Sequence, residues 1–106
     1  MPKYLFSGSY TQAGLGGVIK EGGSKRRAAV EQLVASLGGN LEAFYYTLGE
    51  HDFVIIADLP SNVEAATASL MVHATGAVQG HFTVLLTPEE LDIASQKTVS
   101  YRPPGQ

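Results

Sequence analysis

The chain has 106 residues, 44% of them hydrophobic and 16% charged, with a formal net charge of −3. That is the length of one domain, residues 1–106, and the charge fraction lies below the roughly 25% usual for soluble proteins, which points to surface covered by a partner. A net acidic chain whose one basic cluster is Lys25-Arg26-Arg27 lacks a nucleic-acid footprint, the absence of cysteine excludes disulfide and thiolate chemistry, and no apolar run approaches the roughly 20 residues of a membrane span.

Met1-Pro2-Lys3-Tyr4 lacks the apolar stretch of a secretory signal, so a cytoplasmic location is expected. Tyr4 to Tyr10 alternates aromatic or glycine positions with Leu5, Ser7 and Ser9, a period-two pattern that predicts a first strand. Thr11 to Gly23 carries five glycines and reads as a loop, with at most a helical turn around Leu15–Lys20. Ser24 is an N-cap for a helix to Leu37, with Val30, Leu33, Val34 and Leu37 on its apolar face and Gly38-Gly39 closing it.

Leu41–Leu48 and Phe53–Ala57 read as the second and third strands, joined through the turn Gly49-Glu50-His51-Asp52. Beyond Pro60, Ser61 and Glu64 form a capping box for a second long helix. Its expected apolar stripe is Val63, Thr67, Leu70, Met71 and Ala74, and Gly76 lies just past its end. Phe82–Leu86 reads as the fourth strand. Thr87-Pro88-Glu89-Glu90 is another capping box, opening a short C-terminal helix to about Ser95, and residues 96–106 form an extended tail.

The order β-α-β-β-α-β predicts an α+β, ferredoxin-like fold: a four-stranded antiparallel sheet with both long helices on one face. Phe53-Val54-Ile55-Ile56-Ala57 and Val84-Leu85-Leu86 do not alternate with polar residues, which implies that both sheet faces are dry. Helices cover only one face, so a second copy of the chain is expected on the other. The competing expectation is that the short third helix and the tail fold across it.

An antiparallel order also assigns each loop to one end of the sheet. One end collects Tyr10, the glycine-rich loop, Ser24 to Arg27, the Gly49–Asp52 turn, His73 at a helix end and His81 entering the last strand, hence all three histidines of the chain. The opposite end holds Gly38-Gly39-Asn40, Asp58-Leu59-Pro60 and Leu86-Thr87. Candidate ligand-binding residues are therefore Tyr10, Arg26, His51, Asp52, His73 and His81, and candidate catalytic residues are His51, Asp52 and His81. Each histidine has a plainer reading too: His73 caps its helix, His81 ends a strand at a subunit contact, and His51 is exposed in a turn. Arg26 and Arg27 are phased with Val30 and Leu33 and are expected to pair with Glu50 or Asp52. Of Tyr45 and Tyr46, one ring is expected in the core and one in an interface.

Gly17 to Ser24 has Gly23 where a phosphate-binding loop needs lysine, and Gly14-Leu15-Gly16-Gly17 lacks the third glycine of a dinucleotide loop. No organic cofactor is expected, and no spaced metal motif occurs, although the three histidines together are a conceivable ligand set.

Six segments, Lys3–Thr11 (KYLFSGSYT), Lys20–Arg27 (KEGGSKRR), Gly38–Phe44 (GGNLEAF), Gly49–Phe53 (GEHDF), Leu85–Leu91 (LLTPEEL) and Tyr101–Gly105 (YRPPG), carry a resemblance to the GYD domain family. These are small bacterial proteins named for a Gly/Tyr/Asp motif. The resemblance implies a ferredoxin-like fold related to the dimeric α/β-barrel proteins, in which two sheets close face to face. It supplies no activity. Gly49 and Asp52 match the motif, whereas His51 stands where tyrosine is expected, keeping an aromatic ring with a polar edge but losing the tyrosine hydroxyl.

Three functional expectations follow. The first is a homo-oligomeric small-molecule-binding domain with its site at the polar end of the sheet. The second is a cofactor-independent monooxygenase- or isomerase-like enzyme, with His51 or His81 as general base, Asp52 orienting the imidazole and Arg26 holding substrate charge. The third is a structural assembly module.

Overall fold

Along β1 (Lys3–Tyr10), Tyr4, Phe6 and Gly8 are buried while Leu5, Ser7 and Ser9 are half-buried, so the period-two pattern separates two faces of one strand. The computed structural model describes residues Met1–Gln106. After β1 come α1 (Gln12–Glu21), α2 (Gly23–Ser36), β2 (Asn40–Tyr46), β3 (Phe53–Asp58), α3 (Asn62–Ala74), β4 (Val78–Leu85) and α4 (Pro88–Gln96). The four strands form one sheet in the order β2-β3-β1-β4, and every neighbouring pair is antiparallel.

Register decides which side chains share a face. Phe6 lies between Ile55 and Phe82, and Tyr4 between Ala57 and Val84. The core forms on that face, where Tyr4, Phe6, Phe53, Ile55 and Ala57 meet Val34 of α2 and Ala65 of α3. A bulge between Leu41 and Ala43 shifts the pairing of β2 by one residue. It thereby keeps both Leu41 and Phe44 on the core face, which a regular strand would not do. Tyr46 pairs with Phe53 on the core side, and Tyr45 pairs with Val54 and is exposed on the other.

The glycine-rich segment is a helix, not the expected loop. Thr11 caps α1, its Oγ1 accepting from the Gly14 N–H at 3.3 Å and donating to the Gly76 carbonyl at 2.7 Å. A Cβ on Gly14 would lie 2.1 Å from the Ala77 carbonyl oxygen. That glycine permits a close approach between α1 and the turn before β4, and the tertiary contact outweighs its poor helix propensity. Gly22, at φ +87°, separates α1 from α2.

The buried face of α3 differs from the expected stripe. Ala65 and Ala68 are buried and Val72 is half-buried, whereas Val63, Leu70 and Met71 are 70%, 73% and 60% exposed. Small alanines let the helix sit close to the sheet, so the larger apolar residues are the ones turned outward. At its start Ser61 accepts from the Val63 N–H at 3.1 Å and donates its hydroxyl proton to the Glu64 carboxylate. The reciprocal capping box occurs at α4 instead, where Thr87 and Glu90 exchange two bonds of 3.0 Å.

β4 begins four residues earlier than expected, at Val78, so His81 is a mid-strand residue opposite Ser7 rather than a strand-entry residue. The expectation that the C-terminal helix and tail cover the second sheet face is not met. α4 has no extensive packing against another element, and every residue from Leu86 onward is exposed. The resulting molecule measures 57 × 33 × 24 Å with a radius of gyration of 17.0 Å, against about 13 Å for a compact chain of this length. No helix is long and apolar enough to cross a membrane.

Candidate binding site

α2 rests chiefly on β2 and α3 on β4, and the two helices scarcely touch. Between them a cavity of about 130 Å³ remains over the centre of the sheet. Its floor is built from Tyr4, Phe6, Phe53 and Ile55, and its walls from Val30 and Leu33 of α2 and Ala68 and Val72 of α3. Of the 18 residues that line it, 17 are hydrophobic and the remaining one is Arg26.

Tyr10 lies at the same end as Arg26, its ring 5.1 Å from that of Phe53. Burial, then the neighbouring Tyr46 hydroxyl, pushes the Tyr10 phenol well above its ordinary range, so it stays neutral and protonated. Tyr46 in turn donates to the Gly23 carbonyl at 3.1 Å, which ties the end of β2 to the first turn of α2. Arg26 pairs with neither Glu50 nor Asp52. Its nearest carboxylate is Glu21 at 4.0 Å, and Arg27 is 3.7 Å from Glu31 one helical turn away.

Asp52 belongs to this end of the sheet through backbone contacts. Its Oδ2 accepts from the Tyr10 N–H at 2.9 Å, and its own N–H donates to the Gly8 carbonyl at 2.8 Å. The three histidines are not brought together. His73 is committed within the fold: the Gly80 N–H donates to its Nε2 at 3.1 Å, so Nδ1 carries the proton and donates to the Ser69 carbonyl at 2.7 Å. His81 stands on the opposite face of the sheet from the cavity, exposed and paired in register with Ser7. His51 lies in the turn between β2 and β3, its carbonyl accepting from the Thr47 hydroxyl. No group of three His, Cys, Asp or Glu residues is placed to hold a metal ion.

Of the residues singled out from the sequence, Tyr10 and Arg26 reach the cavity and Asp52 supports Tyr10 from behind. Phe44 and Phe53 are legible in the sequence only as strand residues, and Val72 lies outside the expected stripe of α3, because the helix separation that makes them a lining has no local signature. The arrangement defines an antiparallel α+β domain with an apolar interhelical cavity and one permanent positive charge at its rim. The chain belongs to the GYD domain family, whose model matches residues 4–94, in agreement with the resemblance read from the sequence. No curated protein and no solved structure matches it.

Proposed function

We propose that the chain is a homo-oligomeric small-molecule-binding domain, of ferredoxin-like and dimeric α/β-barrel type, whose ligand site is the cavity between α2 and α3. The observation that carries this reading is the cavity itself, nearly uniform in its apolar lining and bordered by a single charged group. A histidine general base oriented by Asp52 is less well supported, since an Asp52 oxygen is engaged by the Tyr10 N–H.

Exposed area supports self-association. The chain exposes 7496 Å², whereas a compact monomer of this mass exposes about 5,700 Å². The excess exceeds the roughly 800 Å² that each partner buries in a standard interface. The open sheet face, with Leu5, Val54 and Ile56 on the two central strands, and the sparsely packed α4, with Leu91 and Ile93 exposed, are the surfaces offered to a second copy.

Native mass spectrometry of the untagged chain tests both parts at once, with a dimer or larger assembly expected and a bound small molecule retained. Ile56→Glu places a charge in the centre of the open face and is expected to yield monomer. A wild-type chain that is monomeric at micromolar concentration overturns the assembly. Failure of every small apolar probe to enter the cavity overturns the binding reading.

A further inference from the structure

We infer that the cavity takes a monocarboxylate with an apolar body about the size of one aromatic ring, the carboxylate held by Arg26 and the body seated between α2 and α3. This inference rests on the binding reading above and adds the chemical class of the ligand.

Size sets the body. An engineered apolar cavity of about 150 Å³ stays dry and admits benzene, and the cavity here is about 130 Å³. The lining sets its polarity. The only side-chain polar groups among the lining residues are the hydroxyls of Tyr4 and Tyr10 and the Arg26 guanidinium, and the Tyr4 hydroxyl already donates to Asn62, so the polar groups left for a ligand are those of Tyr10 and Arg26 at one end. A hydroxyl or amine carried into that interior would lose its water without compensation. The body therefore has to be hydrocarbon-like, and any polar group has to sit at the rim.

Charge sets the head group. Arg26 is permanently protonated, and its planar fork matches a carboxylate through two parallel hydrogen bonds. Its side chain is only 35% exposed, and its one acidic neighbour, Glu21, stands at 4.0 Å on a half-exposed side chain. The guanidinium is thus weakly engaged within the chain. Tyr10, held neutral at the same end, adds no negative charge that would repel an anion. Arg26 offsets one negative charge at most, and Glu21 and Asp52 already stand at this end, so a dianion such as phosphate would be repelled more than a monoanion.

Isothermal titration and backbone-amide NMR on the full chain, with a matched set of probes, test the assignment. Phenylacetate is expected to bind and to shift amides of Val30, Phe53 and Val72. Phenylacetamide, its neutral counterpart, is expected to bind about tenfold more weakly or worse, the scale of a lost charge-assisted hydrogen bond. Acetate, 2-phenylethylamine and phenyl phosphate are expected to bind more weakly than phenylacetate. Arg26→Gln should bring phenylacetate down to the level of the amide, and Val30→Phe, which fills the cavity, should abolish binding of both while the amide spectrum stays that of a folded chain. Equal affinities for acid and amide, an Arg26→Gln variant that binds phenylacetate unchanged, or tighter binding of phenyl phosphate each overturn the carboxylate assignment and leave the binding reading standing. If no ring-bearing probe binds, both fall.

Discussion

The Asp52 carboxylate receives the backbone N–H of Tyr10 at 2.9 Å, and the Asp52 N–H donates to the Gly8 carbonyl at 2.8 Å, so one residue of the β2–β3 turn clamps the last two turns of the pleat in β1. The clamp continues the β1–β3 pairing past Gly8↔Phe53, where the ladder ends. It also holds Tyr10 at the rim of the cavity. Asp52→Ala removes a charged acceptor from a part-buried amide and is expected to destabilise the fold by about 1.5–3 kcal/mol. Asp52→Asn keeps an acceptor oxygen and should lose less. Urea unfolding of the two variants measures the difference, and equal losses would show that the amide bond to Tyr10 is not what Asp52 contributes.

His73 joins α3 to the edge strand β4 by accepting from the Gly80 N–H and donating to Ser69. Nitrogen chemical shifts of the imidazole are expected to show Nδ1 protonated and Nε2 bare. His73→Ala should cost about 1 kcal/mol, the net worth of an ordinary hydrogen bond, and should speed hydrogen exchange at the Gly80 amide. An Nε2-protonated tautomer is incompatible with this geometry.

The glycines of α1 divide into two kinds. Gly14 is pressed against Ala77, while a Cβ on Gly16 meets nothing within 4 Å. Gly14→Ala must push α1 off the turn before β4 and is expected to destabilise by about 1–3 kcal/mol, as overpacking does. Gly16→Ala gains helix propensity without a clash and should stabilise by about 0.5–1 kcal/mol. Thermal or urea denaturation of the pair yields opposite signs if α1 is docked as described.

Lys3 bridges two neighbouring strands, touching Glu42 of β2 and lying 2.9 Å from Asp58 of β3. Its ammonium is held above the ordinary value of 10.5, first by the hydrogen bond to Glu42 and then by that to Asp58. The folded form thus binds this proton more tightly than the unfolded one. The stabilisation is complete below pH 10.5 and is lost as the pH rises through the folded value. Lys3→Met should flatten the alkaline limb of the stability–pH profile, and a limb identical to wild type would remove Lys3 from that role.

Glu64 has the opposite sign. The Ser61 hydroxyl, its largest stabilising partner, lowers its carboxyl below the ordinary 4.5. Its contribution is present above that value and disappears as the pH falls through the lowered one. Glu64→Gln should shift the acid unfolding midpoint of α3, followed by circular dichroism, toward a shallower dependence on pH.

Much of the architecture was written locally. Alternation placed β1, the aromatic run placed β2, and Thr87 with Glu90 announced the one reciprocal capping box, because backbone period and capping chemistry act over a few neighbouring residues. α1 was hidden because its glycines count against a helix in isolation, and only Ala77, more than sixty residues away, gives Gly14 its reason. The buried face of α3 departs from the expected stripe for a related cause: Leu70 and Met71 are the more hydrophobic residues, yet Ala65 and Ala68 allow the close approach to the sheet. The three histidines shared a loop end on topology alone, but strand register sent His81 to the open face and a backbone amide claimed His73. By itself, the sequence determined the strands, the main helices, the family and an acidic chain short of charge. Tertiary structure alone decided that α2 and α3 stand apart, because helix spacing depends on which strands each helix packs against, and that spacing turns Arg26 and Tyr10 into the rim of a cavity.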